Sequence, residues 1–447
     1  MVRTIVFGGG KQGTRAAEKL TESLWMPDSD NLEGGLSGRF DIEETVIVEG
    51  NEARARDLEN RFSENDLVEV VNQDAEEYIE QEELSGLIFD ATDTDVRLNS
   101  VTETLSENLE EPVEVAYWSE KPAADEIADI ESAGAVASMD LIENFSLQKQ
   151  SVIEDIESEG YEIDSISTWR TSKTDKQVQY EEEGDEREID WEQSRNLFAE
   201  NAGSTKDKGA HDWGNILLTL EAAGQDLEIE IDEENSEYQV IHVNKDGRIF
   251  AYTESGEEVE IPYSGDERLN DGYANIRGSS GNIDLRVVTA LADWPRQIEE
   301  EMDELYEEFR EGLEQELGEV NLVYGEKDNE EIRVEHLEAH DPETGEEVEY
   351  LVSTGEDMFT LKKTETTGGE TNYELLAEGG IDFLACYLQE GLEALQEDHY
   401  EQTVTVDSAV KTGEILERVA KAGYQNRGDP IEVDAHEGTD LREVLEN

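Results

Sequence analysis

The 447-residue sequence carries 116 acidic residues against 34 basic ones, a formal net charge of −82. No basic stripe offers itself to nucleic-acid phosphates, which sets direct nucleic-acid binding aside. A single cysteine, Cys386, excludes an intramolecular disulfide framework and any cysteine-based metal cluster, and no apolar run approaches the ~20 residues of a membrane span.

The acid is spread through predicted helices and strands alike, whereas acidic tails gather it in one block. In dilute buffer such charge opposes compaction; near-molar salt shortens the Debye length to ~3 Å and removes most of that penalty. The composition therefore reads as that of a halophile with a salt-rich cytoplasm. Regular apolar periodicity and six tryptophans argue against a disordered acidic protein. A nucleic-acid mimic is a third reading of the charge. With no signal peptide ahead of Arg3–Phe7, the expected compartment is the cytoplasm.

In chain order, the first ~140 residues alternate strand and helix, the signature of a parallel sheet covered on both faces. Apolar strand runs fall at Ile5–Phe7, Val46–Val48, Val68–Val71, Leu87–Phe89, Val113–Trp118 and Ala135–Ile142, with helical spacing at Thr14–Leu24 and Glu52–Phe62. A polar loop, Pro27–Gly38, interrupts the first helix-to-strand connection. Beyond Phe145 a helix around Lys149–Ile156 leads to a strand at Ile163–Thr171, then a polar stretch, Lys173–Gln193. After a helix at Asn215–Ala223 come alternating segments that read as antiparallel strands, among them Tyr273–Arg277 and Asn282–Val288. Ile298, Met302, Leu305, Phe309, Leu313 and Leu317 form one apolar stripe at helical spacing, suited to covering this second sheet or to an oligomer contact. Helices at Ile381–Leu395 and Ala409–Ala422 follow, the latter with Asp407 as its expected N-cap. The fold class expected is thus an α/β Rossmann domain with a parallel sheet at 1–143, then an α+β domain with a mostly antiparallel open sheet at 144–447.

Four motifs carry chemistry. Gly8-Gly9-Gly10-Lys11-Gln12-Gly13 follows the first strand and opens a helix, the placement of a dinucleotide-binding turn whose helix N-terminus faces a pyrophosphate. Glu49 ends the second strand, where a carboxylate accepts hydrogen bonds from the ribose hydroxyls of NAD and repels the 2′-phosphate of NADP. Arg54 and Arg56 could receive such a phosphate, but on a helix over Asn51–Phe62 they read as surface residues; NAD is favoured, with NADP possible. Ser119-Glu120-Lys121-Pro122 stands after the fifth strand, at the sheet edge where ligands gather in open α/β folds. Asp207-Lys208-Gly209-Ala210-His211-Asp212 opens a helix of the second domain.

Together these motifs resemble the glucose–fructose oxidoreductase, inositol dehydrogenase and rhizopine-catabolism (Gfo/Idh/MocA) superfamily, which carries Glu-Lys-Pro after the fifth Rossmann strand and D-x-G-x-H at a second-domain helix. Asn144-Phe145 and Gly278–Ile283 fit the same pattern, so the resemblance runs nearly end to end. It implies an NAD(P)-dependent oxidoreductase acting on a secondary alcohol or carbonyl of a sugar, sugar derivative or cyclic polyol, and a homo-oligomer. Lys121 would orient the substrate hydroxyl and stabilise developing negative charge. His211 would be the general acid/base, and Asp207 would hold substrate or orient His211, with Lys121 and His211 converging at the nicotinamide end of a cleft. Gly8, Gly10, Lys11, Gln12, Gly13, Glu49, Thr92 and Glu120 would hold the cofactor. The chemical logic stands beside the resemblance: removing hydride from a carbinol needs a base for its proton and a cation for its oxygen. Departures occur at Thr92-Asp93-Thr94-Asp95-Val96-Arg97, where the family shows Thr-Pro and then a histidine, and at Gly214, where it often shows an aspartate. They sustain an alternative, a non-catalytic cofactor-binding sensor on the same fold. His336 and His340, spaced i, i+4, could pair on a metal if helical, but the segment reads as a hairpin arm before Pro342.

Overall fold

A computed structural model describes residues 2–22, 24–26, 29–32, 35–82, 84–92, 96–109, 114–121, 124–171, 209–232, 234–239, 241–243, 249–252, 258–261, 273–290, 296–317, 332–354, 358–379, 382–396, 402–425 and 431–432. By packing, the chain forms two units. One comprises Met1–Ser146 with Gly380–Gly413, the other Leu147–Gly379 with Glu414–Asn447. Residues 380–413 therefore pack with the amino-terminal unit, although they follow the second one in sequence.

The first unit is a six-stranded parallel sheet. Its strands are β1 (Val2–Phe7), β2 (Ile42–Val48), β3 (Val68–Val71), β4 (Gly86–Asp90), β5 (Val115–Ser119) and β6 (Val136–Met139), in the order β3-β2-β1-β4-β5-β6. Helices α1 (Lys11–Thr21), α2 (Glu52–Arg61), α3 (Ala75–Gln81), α4 (Thr102–Asn108) and α5 (Ala124–Ser132) make the crossovers. Ile5, Val6, Phe7, Ile47, Leu87, Ile88, Phe89, Ala116, Tyr117 and Trp118 are all fully buried. Consecutive residues of one strand point to opposite faces, so both faces are covered, which is why these strands read as unbroken apolar runs. The strand order reverses between β1 and β4, and ligands of such sheets bind beyond the carboxyl ends at that reversal. Helix Phe383–Ala394 closes over the sheet near β4 and β5: Tyr387 packs on Phe89, Trp118 and Phe145 and donates to the carbonyls of Ser119 (3.3 Å) and Ser138 (3.1 Å).

The second unit begins with α6 (Leu147–Glu159), β7 (Glu162–Thr171) and α7 (Gly209–Ala222). Its further strands are β8 (Glu230–Ile231), β9 (Glu237–Gln239), β10 (Ile241–Val243), β11 (Ile249–Tyr252), β12 (Glu258–Ile261), β13 (Tyr273–Ser280) and β14 (Ile283–Ala290). Helix α8 (Arg296–Leu317) precedes β15 (Ile332–His340), β16 (Glu347–Thr354), β17 (Phe359–Glu365) and β18 (Thr371–Glu378). The main sheet runs β8-β13-β14-β7-β15-β16-β17-β18, with β9 also on β13. Its pairs are antiparallel except β7 with β14. The Gly278–Ile283 motif is the β13–β14 hairpin, turning at Gly281 with φ +60.

Alternation along β7 and β15 sorts two environments. Trp169 and Val334 join Ile298, Met302, Phe309 and Leu313 in an apolar core with Leu351, Phe359 and Leu361. The stripe of α8 therefore covers the second sheet, as one of the two sequence readings had it. The neighbouring residues Thr168, Arg170, Arg333 and Glu335 point the other way, towards α6 and α7. His336 and His340 lie in β15, facing Glu349 (3.2 Å) and Asp164 (2.8 Å), so their spacing belongs to a strand and the hairpin reading of this segment is correct. Helix Val406–Gln425 starts earlier than predicted. Asp407 falls inside its first turn, paired with Lys411 at 2.8 Å, and Thr405 takes the capping role by accepting from the Ser408 amide at 3.2 Å. Among the described residues no helix is long and apolar enough to cross a membrane.

Candidate active site

At the end of β1 the glycine turn is dictated by crowding. Gly8 has φ +84, and a Cβ there would lie 2.7 Å from the Ala91 carbonyl oxygen. A Cβ on Gly13 would lie 1.9 Å from the Gly8 carbonyl oxygen. Side chains are thus barred where the turn meets β4 and where α1 begins. Gly10 is different: its Cβ position opens on empty space, and as the residue ahead of α1 it places no side-chain cap on the helix. The first amides of α1 are left facing outward, which is the anion-binding arrangement of a dinucleotide turn. Lys11 is exposed there, and Gln12 accepts from Arg15 at 3.2 Å.

Glu49 is only 5% exposed. One carboxylate oxygen accepts from the Gly9 amide at 2.9 Å, the other from the Asn51 amide at 2.7 Å. Arg54 also donates to it, at 3.2 Å. Arg54 is a surface residue as expected, its side chain 40% exposed, yet it reaches back to this carboxylate. Asn51 caps α2, and the first turn of that helix carries Arg54 back over the end of β2. Arg56 is a surface residue, paired with Glu52.

Past β4, Asp90 organises the next loop. One of its oxygens accepts from the Thr92 amide (3.0 Å) and hydroxyl (2.6 Å), and the other accepts from Tyr117 (2.8 Å). Asp93 lies outside the described residues. Arg97, where the family pattern has histidine, is buried and donates to the carbonyls of Thr92 and Lys121.

Glu120 and Lys121 follow β5 directly, and Asp140 follows β6, the adjacent parallel strand in register with it. The Asp140 amide donates to the Ser119 carbonyl at 2.7 Å, which brings Asp140 beside Glu120. Burial, and then the Glu120 carboxylate hydrogen-bonded to it, push the Asp140 carboxyl well above the usual carboxylate range, while Lys121 pulls the other way. The raised Asp140 carboxyl thus stands beside Glu120 and Lys121 at the ends of adjacent strands. Burial also raises the Tyr387 phenol, with Asp140, Glu390 and Glu120 adding to it. Sequence reasoning missed Asp140. The available signal was an acid ending the apolar run Ala135–Ile142.

In the second unit His211 lies in the first turn of α7, 5% exposed, and its carbonyl accepts from Asn215 at 2.7 Å. Asp207 lies outside the described residues. Asp212, fully buried, accepts from Arg170 (3.0–3.2 Å) and from Arg333 (3.1 Å). Arg333 also bonds Glu335, which accepts from Lys149 at 2.5 Å. Five buried charged side chains therefore brace the helix that presents His211. Burial lowers the Lys149 ammonium, with Glu335 opposing. Asp212 ends the motif quoted from the sequence, but its four partners were not singled out, because they come from α6, β7 and β15.

No protein-family model matches this chain, and no curated protein does. Solved structures match over nearly the whole length. A dehydrogenase from Clostridium difficile is 9% identical, with 94% of this chain and 99% of that one covered and a TM-score of 0.51. UDP-N-acetylglucosamine 3-dehydrogenase from Acidithiobacillus ferrooxidans is 12% identical over 94% and 97% of the two chains, TM-score 0.50. GenD2 from gentamicin A biosynthesis, in complex with NAD, is 12% identical over 95% of each chain, TM-score 0.51. The chain thus shares the two-part fold of these solved proteins.

Proposed function

We propose that this chain is a nicotinamide-dinucleotide-dependent oxidoreductase that oxidises or reduces a secondary alcohol or carbonyl of a sugar, sugar derivative or cyclic polyol. The observation that carries the reading is the glycine turn: Cβ atoms are barred at Gly8 and Gly13, open space stands at Gly10, and the N-terminus of α1 is uncapped. Glu49 beside that turn favours NAD over NADP. The solved relatives support the chemistry by name, since two are sugar-nucleotide or aminoglycoside-pathway proteins and one binds NAD.

When bound, the dinucleotide supplies the site that accepts or returns hydride. The residues do the rest. His211 takes the carbinol proton during oxidation and returns it during reduction, a task suited to an imidazole because its pKa lies near neutrality. Lys121 orients the substrate hydroxyl and stabilises developing negative charge. Asp207 orients His211 or holds the substrate. Glu120 stands with the raised Asp140 carboxyl beside Lys121. The acidic surface suits a salt-rich cytoplasm, so the working conditions are near-molar KCl.

An NADH absorbance assay in molar KCl against a panel of sugars and polyols tests the reading. His211→Ala should lower turnover at least ~100-fold while NADH still binds. A wild-type protein that binds no NADH would refute it. NADH binding with no turnover on any substrate would favour the second reading, a cofactor-loaded sensor, which Arg97 at the family's histidine position supports.

A further inference from the structure

One side chain joins the loop after β4 to the loop after β5. Arg97 opens a π-type turn, Arg97–Val101, at the start of α4 and is 1% exposed. Its guanidinium gives one N–H to the Thr92 carbonyl at 2.7 Å and another to the Lys121 carbonyl at 3.0 Å. Thr92 is itself pinned through its amide and hydroxyl to Asp90, which Tyr117 holds from β5. The Ala91–Thr92 peptide also abuts the glycine turn, since a Cβ on Gly8 would lie 2.9 Å from the Thr92 amide nitrogen. Close packing of the dinucleotide turn on Thr92, and then hydrogen bonds through Arg97, therefore connect that turn to the main chain of Lys121.

We propose that Arg97 is a positioning residue: it fixes the Lys121 backbone against the glycine turn, so that the Lys121 ammonium and the dinucleotide are held in one geometry. The proposal deepens the oxidoreductase reading and rests on it. An arginine suits this task because its planar fork serves two acceptors at a fixed spacing, whereas a lysine ammonium rotates on a flexible stem. Space-filling alone would not select it, since burying a guanidinium costs free energy that an apolar residue avoids. The wide turn at Arg97 also fits, because π-type turns recur at functional sites.

The test compares wild type, Arg97→Lys and Arg97→Ala in molar KCl. Hydrogen exchange without cofactor comes first. Amides of 119–121 and 91–92 should exchange at least ~10-fold faster in both variants, with distant β2 unchanged. NADH titration comes second, with dissociation constants expected to rise at least ~10-fold in both. Third, NADH should shield the Lys121 amine from acetic anhydride in wild type and fail to do so in Arg97→Ala. Added guanidinium ion should restore that shielding in Arg97→Ala, which recreates the cavity, and have no effect on Arg97→Lys. Wild-type exchange in 119–121, or intact shielding of Lys121 in Arg97→Ala, would overturn the proposal. Failure of the wild type to bind NADH would instead remove the functional reading, and the exchange data would still decide whether Arg97 clamps the two loops.

Discussion

The Glu49 carboxylate accepts a hydrogen bond from the Gly9 amide at 2.9 Å, so the residue expected to read the ribose also holds the glycine turn in place. Arg54 neutralises part of its charge from the solvent side. Glu49→Gln keeps an acceptor for Gly9 but releases Arg54 and removes the charge that repels a 2′-phosphate. NADH affinity should fall about 10-fold, and the ratio of NADPH to NADH affinity should rise. Arg54→Ala in the Glu49→Gln background should cancel that rise. Fluorescence titration of both coenzymes in molar KCl checks this; an unaltered ratio in Glu49→Gln would show that Glu49 does not set coenzyme choice.

Asp140 makes stability depend on pH in a direction opposite to that of most carboxylates. Its folded pKa lies well above the usual value of 3.8 because of burial and Glu120. The native state therefore binds a proton that the unfolded chain has lost, and stability falls as pH rises from the ordinary aspartate range to the raised native value. Asp140→Asn removes that titration and keeps a donor for Glu120. Melting temperatures of the two proteins should coincide in acid and diverge in favour of Asp140→Asn as pH increases. A constant difference across pH would mean that Asp140 is ionised in the fold.

Phe309 is fully buried in the core under α8, edge-on to Tyr373 at 6.1 Å between ring centroids. Phe309→Ala should destabilise the second unit by about 3–5 kcal/mol. Urea unfolding in molar KCl measures it. A loss below about 1 kcal/mol would show that α8 does not seal the sheet.

That helix was legible in the sequence because one face is apolar and the rest mostly acidic, a pattern with one solution at helical period. The Rossmann strands were legible for the converse reason, since both faces are buried and each becomes a short apolar run. The glycine turn announced itself because only glycine fits at Gly8 and Gly13. Arg54, Arg97 and Asp140 did not, because their roles depend on which loop ends the parallel sheet brings together. The cap of the last long helix was misjudged by two residues, since Thr405 and Asp407 are both good capping types and only the backbone decides between them.

Asp212 is the last case, and it separates scaffold from surface. The chain's many exposed acids are screened in molar salt, but Asp212 is fully buried between Arg170 and Arg333. Removing one partner of such a cluster leaves buried guanidinium charge uncompensated, at a cost of about 3–5 kcal/mol. Asp212→Asn preserves shape and should show that loss in urea unfolding. Because the site excludes water and ions, the loss should be the same at about 1 M and about 3 M KCl, where the Debye length is already ~3 Å or less. An exposed pair such as Arg56 with Glu52 should give a difference near zero under both conditions. If the Asp212→Asn loss shrinks with added salt, then ions reach the cluster, and α7 is not braced by a sealed charge network beneath His211.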